Sequence, residues 1–307
     1  IFFFLVSSSI FSITTGELKL CAIRVSFPLE NDESTTGDGQ FLNTARGIDC
    51  FDYTIDKPPH NRSYFESQIK AVSSYFDSVS YGTFKVDLEN SDIFPYGEDS
   101  SYELDSSMAS YNPYDQSSQS EEKITRLFQD AIILASFEDE INYSNYDLIV
   151  VFHAGIGQDF SLPFLDPTPQ DIPSTYVDND MIKENIEGGS IVINGYEITH
   201  GIVLPETQNH LLYEISNDMF SGASSPCEYQ YGLTGTFALM IGFAIGLPPL
   251  WNIESGKSGV GIFGLMDQGS NNGRGVIPAP PTAWTRIYAG WEEPIEINFN
   301  TNIDLPS

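Results

Sequence analysis

The spacing of apolar side chains predicts two amphipathic helices in the first half of the chain. The first is defined by apolar residues at the three-to-four-residue period of a helix: Phe65, Ile69, Val72, Phe76 and Val79. The second pattern covers residues 121–138, where Ser118 and Glu121 form a capping box before the helix. We therefore expect helices over residues 65–79 and 121–138.

Strand patterns alternate with these helices. Residues 18–27 form a largely apolar run that Pro28 ends, residues 83–88 alternate between apolar and polar side chains, and residues 148–152 are apolar throughout. A continuously apolar run is typical of a central strand that is covered on both faces. The alternation of the two periods predicts an α+β fold with a mostly parallel twisted sheet.

Residues 158–231 form a long segment that is polar and rich in turn residues. Short strands are expected within it at residues 190–198 and 202–204. Long segments beside a cleft often carry function, so we expect this one to form a polar, acidic rim.

Residues 233–245 are apolar nearly all round, which is typical of a helix that is buried in a core or spans a membrane. The segment is short for a span, and Gly242 and Gly246 interrupt it. We therefore expect a buried helix beneath a cleft.

The formal net charge of the 307-residue chain is -30, from 43 acidic and 13 basic residues. Nucleic-acid binding needs a basic surface, and adhesion to anionic membranes needs basic clusters, so the net charge argues against both functions. The acidity favours a soluble protein in a salty habitat.

Residues 1–13 form a short apolar run that Thr14, Thr15 and Gly16 follow. This pattern predicts part of a secretory signal over residues 1–16, with cleavage near residues 14–17; an apolar strand is the alternative. We expect one domain over residues 17–297, the start of a truncated C-terminal region at 298–307, and a secreted or cell-envelope location.

Three cysteines do not make a disulfide framework. Cys21 lies in a strand pattern and is expected to be a buried thiol, whereas Cys50 and Cys227 lie in polar loops where they could pair in an exported protein.

Residues 235–251 read GTFALMIGFAIGLPPLW and have the outline of the active-site helix of a zinc protease. In that motif, His-Glu-x-x-His places two zinc ligands at i and i+4, and the glutamate acts on the bound water. Aligning Gly246-Leu247-Pro248 puts Leu239 and Phe243 at the histidine positions.

The segment resembles the immune inhibitor A family of secreted zinc metallopeptidases, where His-Glu-Phe-Gly-His-x-Leu-Gly-Leu-Pro-Asp-Leu-Tyr is typical. Three other stretches match that family in order: SSYFDSVSYG at 73–82, YDLIVVFHAGIG at 146–157, and GLMDQGS at 264–270 with Ala283-Trp284 and Gly290-Trp291 after it. Together the matches span about residues 18–294.

The resemblance implies a zincin-like fold, with a mixed sheet and a buried central helix under the cleft. It also places Met240 at the catalytic glutamate, Pro249 at the third zinc ligand and Met266 in a turn beneath the site. Leucine and phenylalanine have no lone pair for zinc, and methionine cannot take a proton from water. We therefore expect no zinc in the position that the family uses.

No other catalytic constellation stands out. The histidines, which are His60, His153, His200 and His210, include no pair at i and i+4, and a structural hydrogen-bonding role is favoured for His153. Residues 222–226 do not form a nucleophile elbow, residues 259–264 match a dinucleotide pattern in letters only, and nothing indicates a paired-carboxylate glycosidase.

A calcium site is a further candidate. Asp166 and the run Asp178, Asn179 and Asp180 carry the oxygen ligands that calcium prefers, although a solvated loop is favoured.

Two hypotheses follow. The first is a non-catalytic binding or structural protein on a metallopeptidase-like scaffold, and the second is a secreted peptidase with a rebuilt site, or another enzyme in the same cleft. Leu239, Phe243 and Met266 are expected to form an apolar floor, which suits an extended peptide or a partner protein. A cleft that these side chains fill completely is the alternative.

Overall fold

The computed structural model describes residues 14–44, 55–112, 119–159, 168–208, 231–253 and 255–296. The strands in these ranges are β1 (Gly16–Leu18), β2 (Leu20–Ser26), β3 (Phe84–Val86), β4 (Asp92–Phe94), β5 (Tyr102–Glu103), β6 (Leu148–Ile156), β7 (Thr175–Val177), β8 (Ile191–Ile193), β9 (Tyr196–Ile198) and β10 (Gly201–Thr207). The helices are α1 (Arg62–Val79), α2 (Ser120–Asp139), α3 (Asn179–Asn185), α4 (Leu233–Ala244) and α5 (Ala283–Tyr288). The predicted signal segment and C-terminal region fall largely on residues 1–13 and 297–307, outside the described residues.

A six-stranded mixed sheet organises the fold. Its order is β4-β2-β6-β10-β7, with β5 also paired to β2, and only β7 runs antiparallel to its neighbour. Every residue of β2, β6 and β10 is buried, as expected for parallel strands that are covered on both faces. The predicted α+β class with a mostly parallel sheet is therefore confirmed.

The two faces of this sheet carry separate apolar clusters. Leu148, Val150 and Phe152 of β6 pack on the side of α1 and α4, whereas Ile149 and Val151 pack on the side of α2. Successive strand residues point to opposite faces, so one continuous apolar run serves both clusters.

The two predicted amphipathic helices are confirmed, and each is longer than expected: α1 covers Arg62–Val79 and α2 covers Ser120–Asp139. α1 begins earlier than expected because the Asn61 side chain caps it, accepting the Tyr64 N–H at 3.2 Å. α2 begins at Ser120, and its N-cap residue, Gln119, makes no side-chain capping bond. Ser118 of the predicted capping box lies outside the described residues.

The predicted strands at 18–27 and 83–88 need correction. The first divides at Lys19, whose N–H donates to the Asp147 carboxylate at 2.9 Å and whose carbonyl accepts from Asp147 and Leu148. The second, β3, pairs with β1 in a separate two-stranded sheet and does not join the main one. The hydrogen bonds of Lys19 with Asp147 and Leu148 therefore interrupt the predicted strand and divide it into β1 and β2.

The segment 158–231 is more ordered than its composition predicts. Its described residues include β7, α3, a β8–β9 hairpin and β10, which lies inside the main sheet between β6 and β7. Asn194 and Gly195, both at positive φ, form the hairpin turn. Gly201 begins β10 where a Cβ would lie 2.2 Å from the Phe128 ring, so close packing on α2 requires glycine there.

Residues 233–245 form the expected buried helix, α4. Contacts join it to α1 and to β10 of the sheet. None of the helices in the described part of the chain combines the length and the apolar character needed to cross a membrane.

Candidate binding cleft

One face of α4 lines an open cleft. Thr236, Leu239, Met240 and Phe243 follow the i, i+3, i+4, i+7 spacing, which places them on the same side of the helix. The cavity beside them has a volume of about 310 Å³. Its other walls come from Asp159, Trp251, Gly256, Asp267, Gln268, Ser270 and Asn271. The cleft therefore joins an apolar floor to a polar wall.

The structure brings together three of the four positions that the resemblance assigns to the zinc site. Leu239, Met240 and Phe243 all line the cleft, and Leu239 and Phe243 are only half-buried. Of the two alternatives that the sequence leaves open, a filled cleft and an open one, the structure has an open cavity beside these side chains. Pro249 is exposed and is not part of the lining.

The side chains on this face do not fit a zinc ion. Zinc sites use thiolate, imidazole or carboxylate ligands, and Leu239 and Phe243 offer none of these. Within the described residues, no group of three or more His, Cys, Asp or Glu side chains is arranged to hold a metal ion. No step of a zinc-dependent reaction can be derived through this face.

Met266 lies behind α4 and does not form part of the floor. It is fully buried, and a Cβ at Gly242 would lie 2.6 Å from its sulfur. The expected contribution of Met266 to the cleft surface is therefore corrected. Glycine at position 242 lets the helix approach the Met266 turn closely.

Gly235 has the same role on the same face of α4, two turns before Gly242. A Cβ there would lie 1.9 Å from the backbone oxygen of Ser270. Ser270 and Asn271 line the cleft, so the close approach at Gly235 sets the position of the polar wall.

Asp267 orders the loop that leads to this wall. Its Oδ2 accepts the N–H groups of Gly259, Val260 and Gly261 at 2.8 to 2.9 Å, and the Ser258 hydroxyl at 2.9 Å. Burial alone would raise the pKa of Asp267, but these hydrogen bonds outweigh it and hold the pKa below its ordinary value. Gly259 and Gly261 of the dinucleotide-like pattern therefore donate their N–H groups to the Asp267 carboxylate of the protein itself.

Asp159 lies after the C-terminal end of β6 and is exposed on the cleft. Its carboxylate accepts the Ser174 N–H at 3.1 Å, the Ser174 hydroxyl at 2.9 Å and the Gln208 side-chain amide. Among the described residues that line the cleft, Asp159 is the one that belongs to the segment 158–231, which is expected to form an acidic rim. Ligands of open α/β sheets commonly bind at this edge of parallel strands.

Aromatic rings extend the apolar floor. Phe243 meets Trp251 edge-on, with ring centroids 5.5 Å apart, and stacks on Tyr176 at 6.4 Å. Phe243 and Trp251 line the cleft and are only partly buried, so part of each ring is available to a ligand, whereas Tyr176 supports Phe243 from outside the lining.

Sequence reasoning missed a buried polar cluster at the same edge of the sheet. His60 Nδ1 lies 2.6 Å from Glu206 Oε2, and His60 Nε2 lies 2.7 Å from the Asp56 carbonyl. Both residues are almost completely buried, and the His60 ring stacks on Tyr64 at 4.3 Å. Glu206 also accepts the N–H groups of Leu42 and Gly155, each at 2.8 Å.

The charge state of His60 follows from these contacts. The Asp56 carbonyl can only accept, so His60 Nε2 carries a proton. His60 Nδ1 faces Glu206 Oε2, which also accepts the Leu42 N–H, so both ring nitrogens of His60 are assigned as donors. Burial by itself would lower the pKa of His60, but the hydrogen bond and charge of Glu206, with the Asp56 carbonyl, raise it above its ordinary value. The cluster therefore contains an imidazolium–carboxylate pair.

Asp56 connects this cluster to the cleft helix. Its carboxylate accepts the Leu233 N–H at 2.7 Å, the Thr207 hydroxyl at 3.0 Å and the Gln68 amide at 3.0 Å. Burial raises its pKa, and the Leu233 hydrogen bond opposes the rise. A negative charge at the N-terminus of α4 also complements the helix dipole.

The other candidate ligands have separate structural roles. His153 is fully buried in β6, where its Nδ1–H donates to the Ala154 carbonyl at 2.9 Å, and burial lowers its pKa to about 4. His200 Nδ1 faces the Thr199 hydroxyl at 3.1 Å. Cys21 is a fully buried thiol in β2, as predicted.

The predicted calcium run caps a helix. Asp178 accepts the N–H groups of Asp180 and Met181 at the start of α3, at 2.9 and 2.8 Å. The remaining candidates, which are Asp166, His210, Cys50 and Cys227, lie outside the described residues.

The chain matches no protein-family model and no curated protein.

Proposed function

We propose that this protein is an exported, metallopeptidase-like protein without a catalytic zinc site, whose cleft binds an extended peptide segment of a partner. One observation carries the proposal: the helix face that the resemblance assigns to zinc lines a 310 Å³ cleft with Leu239, Met240 and Phe243. These side chains can hold apolar groups, and they offer neither a zinc ligand nor a base.

The arrangement of the motif stretches supports a zincin-like scaffold. Residues 73–82 end α1, residues 146–157 include β6, and residues 235–251 include α4, which contacts α1 and packs in the same apolar cluster as β6. Met266, from the fourth stretch, is buried against Gly242 of α4. The resemblance implies this arrangement of helix, sheet and methionine turn.

The lining of the cleft favours a peptide over other ligands. An apolar floor with polar groups along one wall matches a segment that carries apolar side chains on a hydrogen-bonding backbone. Gln268 and Asn271 supply amide groups, which both donate and accept hydrogen bonds. The net charge of -30 disfavours phosphates and nucleic acids.

Metal content and proteolysis test the absence of zinc chemistry. Purified protein should contain no stoichiometric zinc and should not cleave casein in a chelator-sensitive manner. Stoichiometric zinc with chelator-sensitive cleavage would overturn the proposal in favour of a peptidase with a rebuilt site.

A restored motif tests the scaffold separately. The triple variant L239H/M240E/F243H places His-Glu-x-x-His on α4, where the cleft has room for an ion. We expect this variant to take up zinc, whereas the matched variant L239N/M240Q/F243N should not. A folded triple variant that binds no zinc would contradict a zincin-like site on this face.

Export is tested by the N-terminus of the mature protein from its native host. We expect it to begin near residues 14–17, because the apolar run before them has the pattern of a signal segment. Intact peptides from residues 2–4 in a soluble cytoplasmic pool would contradict export.

A further inference from the structure

We infer that the cleft selects peptide segments in which an apolar side chain lies beside a cationic one, with the apolar group on α4 and the cation at Asp159. This inference rests on the proposed peptide-binding function and adds the chemistry of the preferred ligand. It follows from the placement of charge around the cleft.

The apolar half of the site is the surface of Leu239, Phe243 and Trp251. Phe243 and Trp251 meet at an angle of 85°, which leaves a corner between two ring faces. All three side chains remain partly exposed. A single Phe or Leu side chain of the ligand that enters this corner would remove its own apolar surface and that of the two rings from water. The apolar half of the site therefore supplies most of the binding free energy.

Asp159 supplies the charged half. Desolvation raises the pKa of Asp159, whereas the hydrogen bonds from Gln208 and Ser174 oppose the rise and favour the ionised form. Both donors are neutral, so they hold the carboxylate in place without cancelling its charge. Within the described part of the chain, no lysine or arginine forms an ion pair with it. An exposed, oriented carboxylate beside an apolar floor is suited to a Lys or Arg side chain.

The second carboxylate of the cleft is already used by the protein. Asp267 is 5 % exposed and accepts four hydrogen bonds from residues 258–261 at one oxygen. A ligand cation therefore has one available carboxylate partner among the described lining residues, and that partner is Asp159.

The surroundings oppose an anionic ligand. No lysine or arginine is among the described residues that line the cleft, and the side chain of Lys257, which follows Gly256, is not part of the lining. The net charge of -30 attracts cationic segments and repels acidic ones at long range. Trp251 adds a ring face over which a cation can lie.

Four peptides test this assignment by isothermal titration calorimetry at 50 mM salt. Each is a six-residue peptide with blocked ends and Ser or Ala at the outer positions, and they differ only in their central pair: Phe-Arg, Phe-Gln, Phe-Glu or Ser-Arg. We expect Phe-Arg to bind most tightly, Phe-Gln about threefold to fivefold more weakly, and Phe-Glu about tenfold more weakly. Ser-Arg should lose most of the affinity.

The variant Asp159→Asn identifies the carboxylate. Its Phe-Arg affinity should fall to that of Phe-Gln, so that the variant no longer distinguishes the two peptides. Gln208 can reverse its amide to meet the new side chain, because its Oε1 has no hydrogen-bond partner among the described residues. Glu197→Gln on the exposed part of β9 removes the same charge away from the cleft and should leave the order of the peptides unchanged.

The outcomes separate this inference from the proposed function. Equal affinity for Phe-Arg, Phe-Gln and Phe-Glu would overturn the charge selection and leave a peptide-binding cleft. Selection that persists in Asp159→Asn would also overturn it, because another group would then hold the cation. If none of the four peptides binds at millimolar concentration, the peptide-binding function itself is wrong.

Discussion

His60 and Glu206 form a buried pair with 2.6 Å between Nδ1 and Oε2, although 146 residues separate them in the chain. The pair joins the loop before α1 to the end of β10, and Asp56 of the same loop continues the contact to the start of α4. The position of the cleft helix therefore depends on charged groups that lie outside the cleft.

The His60–Glu206 pair should make stability fall at alkaline pH. The folded-state pKa of His60 is raised, so its contribution is complete below the unfolded value of about 6.5 and is lost as the pH rises through the folded pKa. Asp56, Glu206 and Tyr64 are the titratable groups around the ring. Urea unfolding between pH 5 and 9 measures the effect.

The variant His60→Gln provides the control for this pH dependence. It keeps a hydrogen-bonding side chain without the charge, and at pH 6 it should lower the free energy of unfolding by about 3 kcal/mol. The difference from the parent should shrink above about pH 6.5. An equal pH slope in both proteins would show that His60 is not the titrating group.

Asp267 should make the free energy of unfolding fall at acid pH. Its folded-state pKa is lowered, so its contribution is present above the unfolded value of about 3.9 and is lost as the pH falls through the folded pKa. Asp267→Asn should lower the free energy of unfolding at pH 7 by about 2 kcal/mol, because an amide nitrogen would face backbone N–H groups. The difference should be smaller at pH 2.5.

An exposed carboxylate serves as the comparison for Asp267. Glu197→Gln changes the charge equally and should leave the free energy of unfolding within about 0.5 kcal/mol of the parent. A similar loss in both variants would mean that net charge, and not the loop 258–261, causes the effect.

Gly235 and Gly242 should respond differently to alanine. At Gly235 the new Cβ would meet the backbone oxygen of Ser270 at 1.9 Å, so Gly235→Ala should cost about 3 kcal/mol. At Gly242 the nearest atom belongs to the flexible Met266 side chain, which can move, and alanine favours the helix. Thermal unfolding of both variants checks the order, and equal losses would contradict the assigned contacts.

Phe237 and Phe243 provide a matched pair on one helix. Phe237 is fully buried and packs on Phe152 at 5.4 Å, so Phe237→Ala should cost about 4 kcal/mol. Phe243 is half-buried in the cleft, so Phe243→Ala should cost about 2 kcal/mol and should abolish binding of the Phe-Arg peptide. A full core penalty at Phe243 with unchanged peptide binding would show that it is only a core residue.

The secondary structure was largely predictable from the sequence. The helical period gave α1 and α2 to within a few residues, and the apolar runs gave β6 and the buried helix α4. The sequence also determined that Leu239, Met240 and Phe243 cannot form a zinc site, because ligand chemistry depends on residue type alone.

Only the tertiary structure decided how distant segments meet. β10 was expected as a short strand in a polar segment, yet it pairs with β6 because its apolar residues complete both clusters of the sheet. The sequence does not reveal that His60 and Glu206 are buried together, that Asp159 lines the same cleft as α4, or that Pro249 is not part of the lining. Periodicity reports local backbone geometry, whereas these contacts depend on packing between segments that are separate in the sequence.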